Sequence, residues 1–139
     1  MIILDTNVLS ALMRPTPDRA AATWLDGQPS QSVWTTSVTV FEIEFGIAVL
    51  PRGRRRTALE AGFTRLVEDA LENRILPFDR AAAIAAARLA AERRAGGRPV
   101  DIRDTQIAGI AIAHRAVVAT RNVRHFHGMG MAVIDPWRA

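Results

Sequence analysis

The chain has 139 residues, about one domain's worth, enough to bury a single core and too few for a separate regulatory module. Its 18 basic and 14 acidic residues leave a formal charge of +4, and every basic residue is Arg because Lys is absent; this points either to a polyanionic partner or to a codon bias toward Arg and Ala. The absence of Cys excludes a disulfide framework and a thiolate metal site, and no signal-peptide pattern or membrane-length apolar run is present, so the expected setting is cytoplasmic.

Apolar, β-prone runs recur at residues 2–4, 33–36, 75–76, 117–120 and 132–134. Helix-period segments separate them at 8–13, 18–25, 38–50, 54–72, 80–94 and 102–115. Strands alternating with helices of this length imply βαβ crossovers, hence a single α/β domain over residues 1–139 with a mostly parallel sheet covered on both faces. Asn7 or Thr6, Ser37, Asp79 and Asp101 are candidate N-caps, and Gly96 and Gly97 end the Ala-rich helix. Asp135, Pro136 and Trp137 read as a strand end tucked against the body.

Asp5 closes the first apolar run, and the carboxyl ends of parallel strands are where open α/β sheets bind ligands. The bland alternative is a helix cap in the Asp-Thr-Asn turn, a role that Thr6 or Asn7 can fill. Glu42 falls in the middle of an apolar helical stripe with Val38, Phe45, Gly46 and Val49, whereas Glu44 projects to the opposite, solvated side. Its bland alternatives are a core Glu paired with an Arg, or an edge position that snorkels to water. Asp104 shares a face with Ile107, Ala108 and Ala111 near a helix start, where a dipole role is the competing reading; Asp101 suits the cap better. The run 116–122 repeats the N-terminal architecture, an apolar strand followed by Thr120, Arg121 and Asn122. Asn122 is either an oxygen ligand at a second strand end or a cap for the next short helix.

Carboxylates patterned as buried need a cation to neutralise them. Without Lys there is no Walker loop, and neither a nucleophile elbow nor a zinc-ligand spacing of His is present; His125 and His127 read as surface or RNA-facing residues. An oxygen-only ligand set selects hard cations, Mg2+ or Mn2+, and favours in-line attack of water on a phosphodiester.

With these positions in hand, the chain resembles the PIN-domain ribonucleases, specifically the VapC toxins of bacterial toxin-antitoxin pairs and their FitB-like branch. The segments LDTNVLS, TTSVTVFEIEFGI, RILPFD, DIRDTQIAGIA and VATRNVRHF carry the resemblance in order and spacing over essentially the whole chain. It implies a three-layer α/β/α sandwich. It also implies Asp5 and Asp104 as Mg2+ ligands, with Glu42 assisting directly or through water, and Thr6 and Thr120 orienting these carboxylates. At residue 122, where FitB-like proteins often carry a fourth acid, this chain has Asn122, which points to one resting metal rather than two. The resemblance further implies a homodimer, with apolar positions between residues 38 and 72 as its interface, and a cognate VapB- or FitA-like antitoxin that threads a segment into the active-site groove.

Arg121 and Arg124 flank the second strand end and are the first choice for RNA phosphate contacts, while Arg52, Arg54, Arg55 and Arg56 form a basic turn that either guides RNA or is a solvated face. Trp24, Trp34 and Trp137 are expected in the core. Beside the endoribonuclease toxin stand two alternatives. One is a small-molecule Mg2+ phosphohydrolase, disfavoured by the lack of a D-x-D pair and of Lys. The other is a non-catalytic PIN-like module binding RNA or protein, disfavoured by the retention of three acids.

Overall fold

A computed structural model describes residues 1–139. Five strands, β1 (Ile2–Leu4), β2 (Val33–Thr36), β3 (Ile75–Leu76), β4 (Val117–Ala119) and β5 (Val133–Ile134), form one sheet in the order β3-β2-β1-β4-β5. Every pairing is parallel, so the expected mostly parallel sheet is wholly so. Seven α-helices surround it: α1 (Thr6–Leu12), α2 (Arg19–Asp26), α3 (Ser37–Ala48), α4 (Arg54–Arg65), α5 (Arg80–Ala95), α6 (Ile102–His114) and α7 (Val123–Phe126). A 3-10 turn at Ser30–Ser32 leads into β2.

Strand alternation divides the interior into two cores. Leu4, Val33 and Ala119 pack with α1 to α4 on one face, whereas Ile3 and Val118 pack with α5 to α7 on the other. This is the expected three-layer sandwich. The chain runs from β1 outward through β2 and β3, then crosses to the other side of β1 for β4 and β5. The reversal makes a crevice beyond the carboxyl ends of β1 and β4, the position at which doubly wound sheets hold ligands.

Three sequence expectations are corrected by local geometry. Asp5, rather than Thr6 or Asn7, occupies the N-cap of α1, with its Oδ1 accepting from the Thr6 backbone N–H at 2.8 Å. Thr36, rather than Ser37, caps α3 through its hydroxyl; the Ser37 hydroxyl instead accepts from the Phe78 N–H at 3.1 Å and so ties α3 to the segment after β3. The expected helix 54–72 ends in a π turn at Leu66–Ala70. There the Leu71 N–H reaches the Leu66 carbonyl, and the wider turn sends both leucines into the core.

Helix α3 buries Val38, Thr39, Ile43 and Ile47, while Phe45 and Val49 are 54% and 63% exposed. The buried stripe is therefore rotated away from the one expected. Apolar residues line both faces of α3, so periodicity alone could not fix its phase. Glu42 lies at the boundary between the buried and exposed faces, not in the centre of a buried one.

Candidate active site

The strand ends deliver the first group. Asp5 continues the β1 ladder through its N–H to the Ala119 carbonyl, and only 5% of the residue is exposed. Its Oδ2 accepts from the Thr120 hydroxyl at 2.8 Å. That same hydroxyl oxygen accepts from Asn7 Nδ2 at 3.1 Å and from the Asn122 backbone N–H at 3.0 Å, so Thr120 is the buried node joining β1, α1 and the turn after β4. Asn7 Oδ1 accepts from the Arg121 N–H at 3.0 Å and completes the brace.

Helices supply the other acids. Asp101 caps α6 as expected, accepting from the Asp104 N–H at 2.9 Å, and the first turn of α6 then points the Asp104 carboxylate into the crevice. Glu42 arrives from α3: its Oε1 accepts from the Thr6 hydroxyl at 3.0 Å, and its Oε2 lies 3.4 Å from the Arg103 guanidinium. Glu42 thus lines the cavity and at the same time makes an ion pair with an Arg, as its bland reading expects. The Glu42 and Asp104 side chains are each 19% exposed.

Asp5, Glu42, Asp104 and Asn122 line one cavity of about 520 Å³, together with Thr6 and Arg121. Asn122 stands at the N-cap position of α7 without making a side-chain cap, so its amide is free to face the cavity. Thr120 is buried behind it, while Arg124 is exposed on α7 and does not line the cavity.

Burial pushes the Asp5 carboxyl above its ordinary value, against the hydrogen bonds from Thr6 and Thr120, and the negative charge of Glu42 adds to the upward shift. Asp104 is pushed up to about 6, first by burial and then by repulsion from Asp101 and Asp5, with His125 offsetting part of it. These carboxylates carry charge that the protein only partly compensates. No three acidic or His side chains are drawn into a closed ligand shell. Carboxylates facing a shared open cavity suit Mg2+, which takes one or two carboxylates and completes its shell with water and phosphate oxygens. The carboxylate and amide oxygens, with the His125 ring held against Asp104, and a repulsion only partly relieved fit a hard divalent cation.

Several contributors were not foreseen as such. Asn7 braces Asp5 and Thr120 rather than capping a helix. His125 stands with Nδ1 3.2 Å from Asp104 Oδ2, placed there by the short helix that follows the second strand end. Arg103 adjoins Asp104 in sequence and reaches Glu42 across the crevice, a contact between α6 and α3 that no local pattern encodes. Of the three tryptophans expected in the core, all are partly buried against it, and Trp137 also lines the acidic cavity.

A family model described as PIN domain matches residues 2–129. The chain is 40% identical to VapC ribonuclease Y4jK of Sinorhizobium fredii over 137 residues, covering 99% of this chain and 98% of that one. It is 34% identical to Toxin FitB of Neisseria gonorrhoeae over 137 residues, 99% of each. The crystal structure of FitAcB from Neisseria gonorrhoeae superimposes with a TM-score of 0.85 at 33% identity, over the full length of both chains.

Proposed function

The chain belongs to the PIN-domain family, among the VapC and FitB toxins, and from that premise we propose that it is a Mg2+-dependent endoribonuclease acting as the toxin of a type II toxin-antitoxin pair. The observation that carries this reading is the meeting of Asp5, Glu42 and Asp104 in one cavity at the switch point of the sheet.

Asp5 and Asp104 would hold the ion, with Glu42 assisting directly or through water and Asn122 offering a neutral oxygen. When bound, Mg2+ supplies an activated water and charge stabilisation for the leaving oxygen; Mn2+ can substitute. Thr120 and Thr6 fix the orientation of the carboxylates, and the hydrogen bond from Thr120 keeps Asp5 closer to its ionised form. Arg121, at the cavity wall, contacts the RNA backbone, and Arg124 extends the basic surface outside it. In the basic turn, Arg56 is tied to Glu60 and the Leu50 carbonyl, a structural role, whereas Arg55 faces an adjoining groove.

That groove, about 670 Å³, is lined by Met13, Ile43, Ile47 and Leu59 and shares Thr6 and Glu42 with the acidic cavity. An apolar trough opening onto the carboxylates suits the threaded segment of a cognate VapB- or FitA-like antitoxin, whose cationic side chain would meet the acids. The exposed ladder Phe41, Phe45 and Val49 on α3 suits a homodimer face.

The test is cleavage of total cellular RNA by the purified, antitoxin-free chain with Mg2+, with EDTA, and with Asp5→Asn replacing the parent. Discrete fragments from the parent with Mg2+ alone support the reading. Equal fragmentation in all three exposes a contaminating nuclease, whereas cleavage by the purified parent that Asp5→Asn abolishes but EDTA does not overturns the metal-dependent reading. A folded chain that binds RNA without cutting it moves the reading to a PIN-like binding module.

A further inference from the structure

The Arg121 guanidinium lies over the Trp137 ring at 4.7 Å from its centroid, and both residues line the acidic cavity. Trp137 is itself fixed on three sides. Its indole N–H donates to Asp18 Oδ1 at 3.1 Å, its backbone N–H donates to Asp135 Oδ1 at 2.9 Å, and its ring packs against the core under α1 to α4. The root of Arg121 is fixed as well, through its backbone N–H to Asn7 Oδ1.

A flexible cation beside three carboxylates would be expected to fold onto one of them, as Arg103 does with Glu42. Arg121 joins none of the chain's ion pairs. The aromatic ring occupies the face of the guanidinium and leaves its planar fork of N–H donors unspent. Such a fork, presented edge-on, matches a phosphate bidentately.

We propose that Trp137 is a positioning residue: it holds Arg121 apart from the acids at the cavity wall, so that the guanidinium edge receives a backbone phosphate of single-stranded RNA entering the cavity. The inference rests on the ribonuclease reading above and names the residue pair that fixes where the RNA backbone lies. Trp137 touches the guanidinium and not the reacting atoms, and it acts through Arg121.

The experiment is binding of a fluorescein-labelled single-stranded RNA oligonucleotide to the full chain in EDTA, by anisotropy over a range of salt. The parent is compared with Arg121→Ala, Trp137→Leu, Trp137→Phe and the double variant Arg121→Ala/Trp137→Leu, with circular dichroism as the check on folding. Arg121→Ala is expected to weaken binding and to lower the salt slope by about 0.7, one phosphate contact on a single strand. Trp137→Leu should weaken binding about two- to fivefold, Trp137→Phe less, and the double variant should be no worse than Arg121→Ala alone. A loss from Trp137→Leu that persists undiminished in the Arg121→Ala background would assign Trp137 a purely structural role and overturn the proposal. Should Trp137→Leu fail to fold, the same cycle is run with Trp137→Phe, with a smaller but still non-additive loss expected. A parent chain that binds no RNA either in EDTA or with Ca2+ in place of Mg2+ would overturn the ribonuclease reading together with this one, whereas equal RNA binding by the parent and every variant would overturn this one alone.

Discussion

Thr120 donates its hydroxyl hydrogen to Asp5 Oδ2 at 2.8 Å and so ties the end of β4 to the end of β1 across the crevice. Removing this bond while keeping the shape, in Thr120→Val, takes away a contact that favours the charged carboxylate, deprives the Asn122 N–H of its acceptor and leaves Asn7 Nδ2 only its longer bond to Asp5 Oδ2. Mg2+ affinity should fall about 10-fold or more, as for other residues that orient a metal ligand. Isothermal titration of Mg2+ into the folded variant checks this.

On the proposed reading, the raised carboxyls of Asp104 and Asp5 set the pH dependence of metal binding. The Asp104 carboxyl, pushed up to about 6 from an ordinary 3.8, must lose its proton to bind a metal. Mg2+ affinity should therefore climb as pH rises toward about 6 and level off above it, whereas Asp104→Asn should bind weakly at every pH. The metal-free fold shows the opposite trend. A raised carboxyl pKa means that the folded state holds the proton more tightly than the unfolded chain. Asp104 then favours folding below pH 3.8, and this contribution is lost as pH rises through about 6. Melting of the parent against Asp104→Asn in EDTA, across this window, reads the difference.

Arg103 pairs with Glu42 and, on the proposed reading, would compete with a metal for this carboxylate. Its guanidinium is 3.4 Å from Glu42 Oε2 and 5.9 Å from the Phe41 ring centroid, a half-exposed pair of modest strength. Arg103→Gln should leave the carboxylates more negative and tighten Mg2+ binding about two- to fivefold, in keeping with the worth of an exposed ion pair. Calorimetry at low salt shows the gain, and added salt should shrink it.

Gly62 permits α4 to lie against the end of α1. A methyl group at that position would fall 2.0 Å from the Met13 carbonyl oxygen, which is backbone and cannot swing aside. Gly62→Ala should cost about 1–3 kcal/mol of stability by forcing the two helices apart. Chemical denaturation measures it, and Gly46→Ala, with open space around its Cβ, serves as the control.

What the sequence made legible is what period and position encode. An apolar triplet ending on Asp5 reads as a buried strand with a carboxylate at its functional end, and the β-α alternation yields the three layers. Asp79 and Asp101 are caps because a side-chain oxygen three residues before an N–H is a local matter. The phase of α3 was illegible, since Phe41, Ile43, Phe45 and Ile47 supply apolar residues to opposite faces and only the sheet decides which face is covered. Glu42 joins the cavity through Thr6 and not through the centre of a buried stripe, so its apolar neighbours on α3 are only a partial guide to its place. Contacts between distant segments left no local trace. Asn7 to Thr120, Arg103 to Glu42 and Trp137 to Asp18 exist only once the strands are ordered.

The most direct test of the account is the chemistry of the cut ends. Attack of water on phosphorus with departure of the 3′ oxygen, the reaction that an acidic Mg2+ site promotes, leaves a 5′-phosphate and a 3′-hydroxyl. Fragments from the Mg2+-loaded parent should accept ligation through their 5′-phosphates without prior kinase treatment, and Asp104→Asn should yield none. Fragments ending in 2′,3′-cyclic phosphate with a free 5′-hydroxyl would mean that the RNA's own 2′-hydroxyl is the nucleophile, and would contradict the role assigned here to Asp5, Glu42 and Asp104.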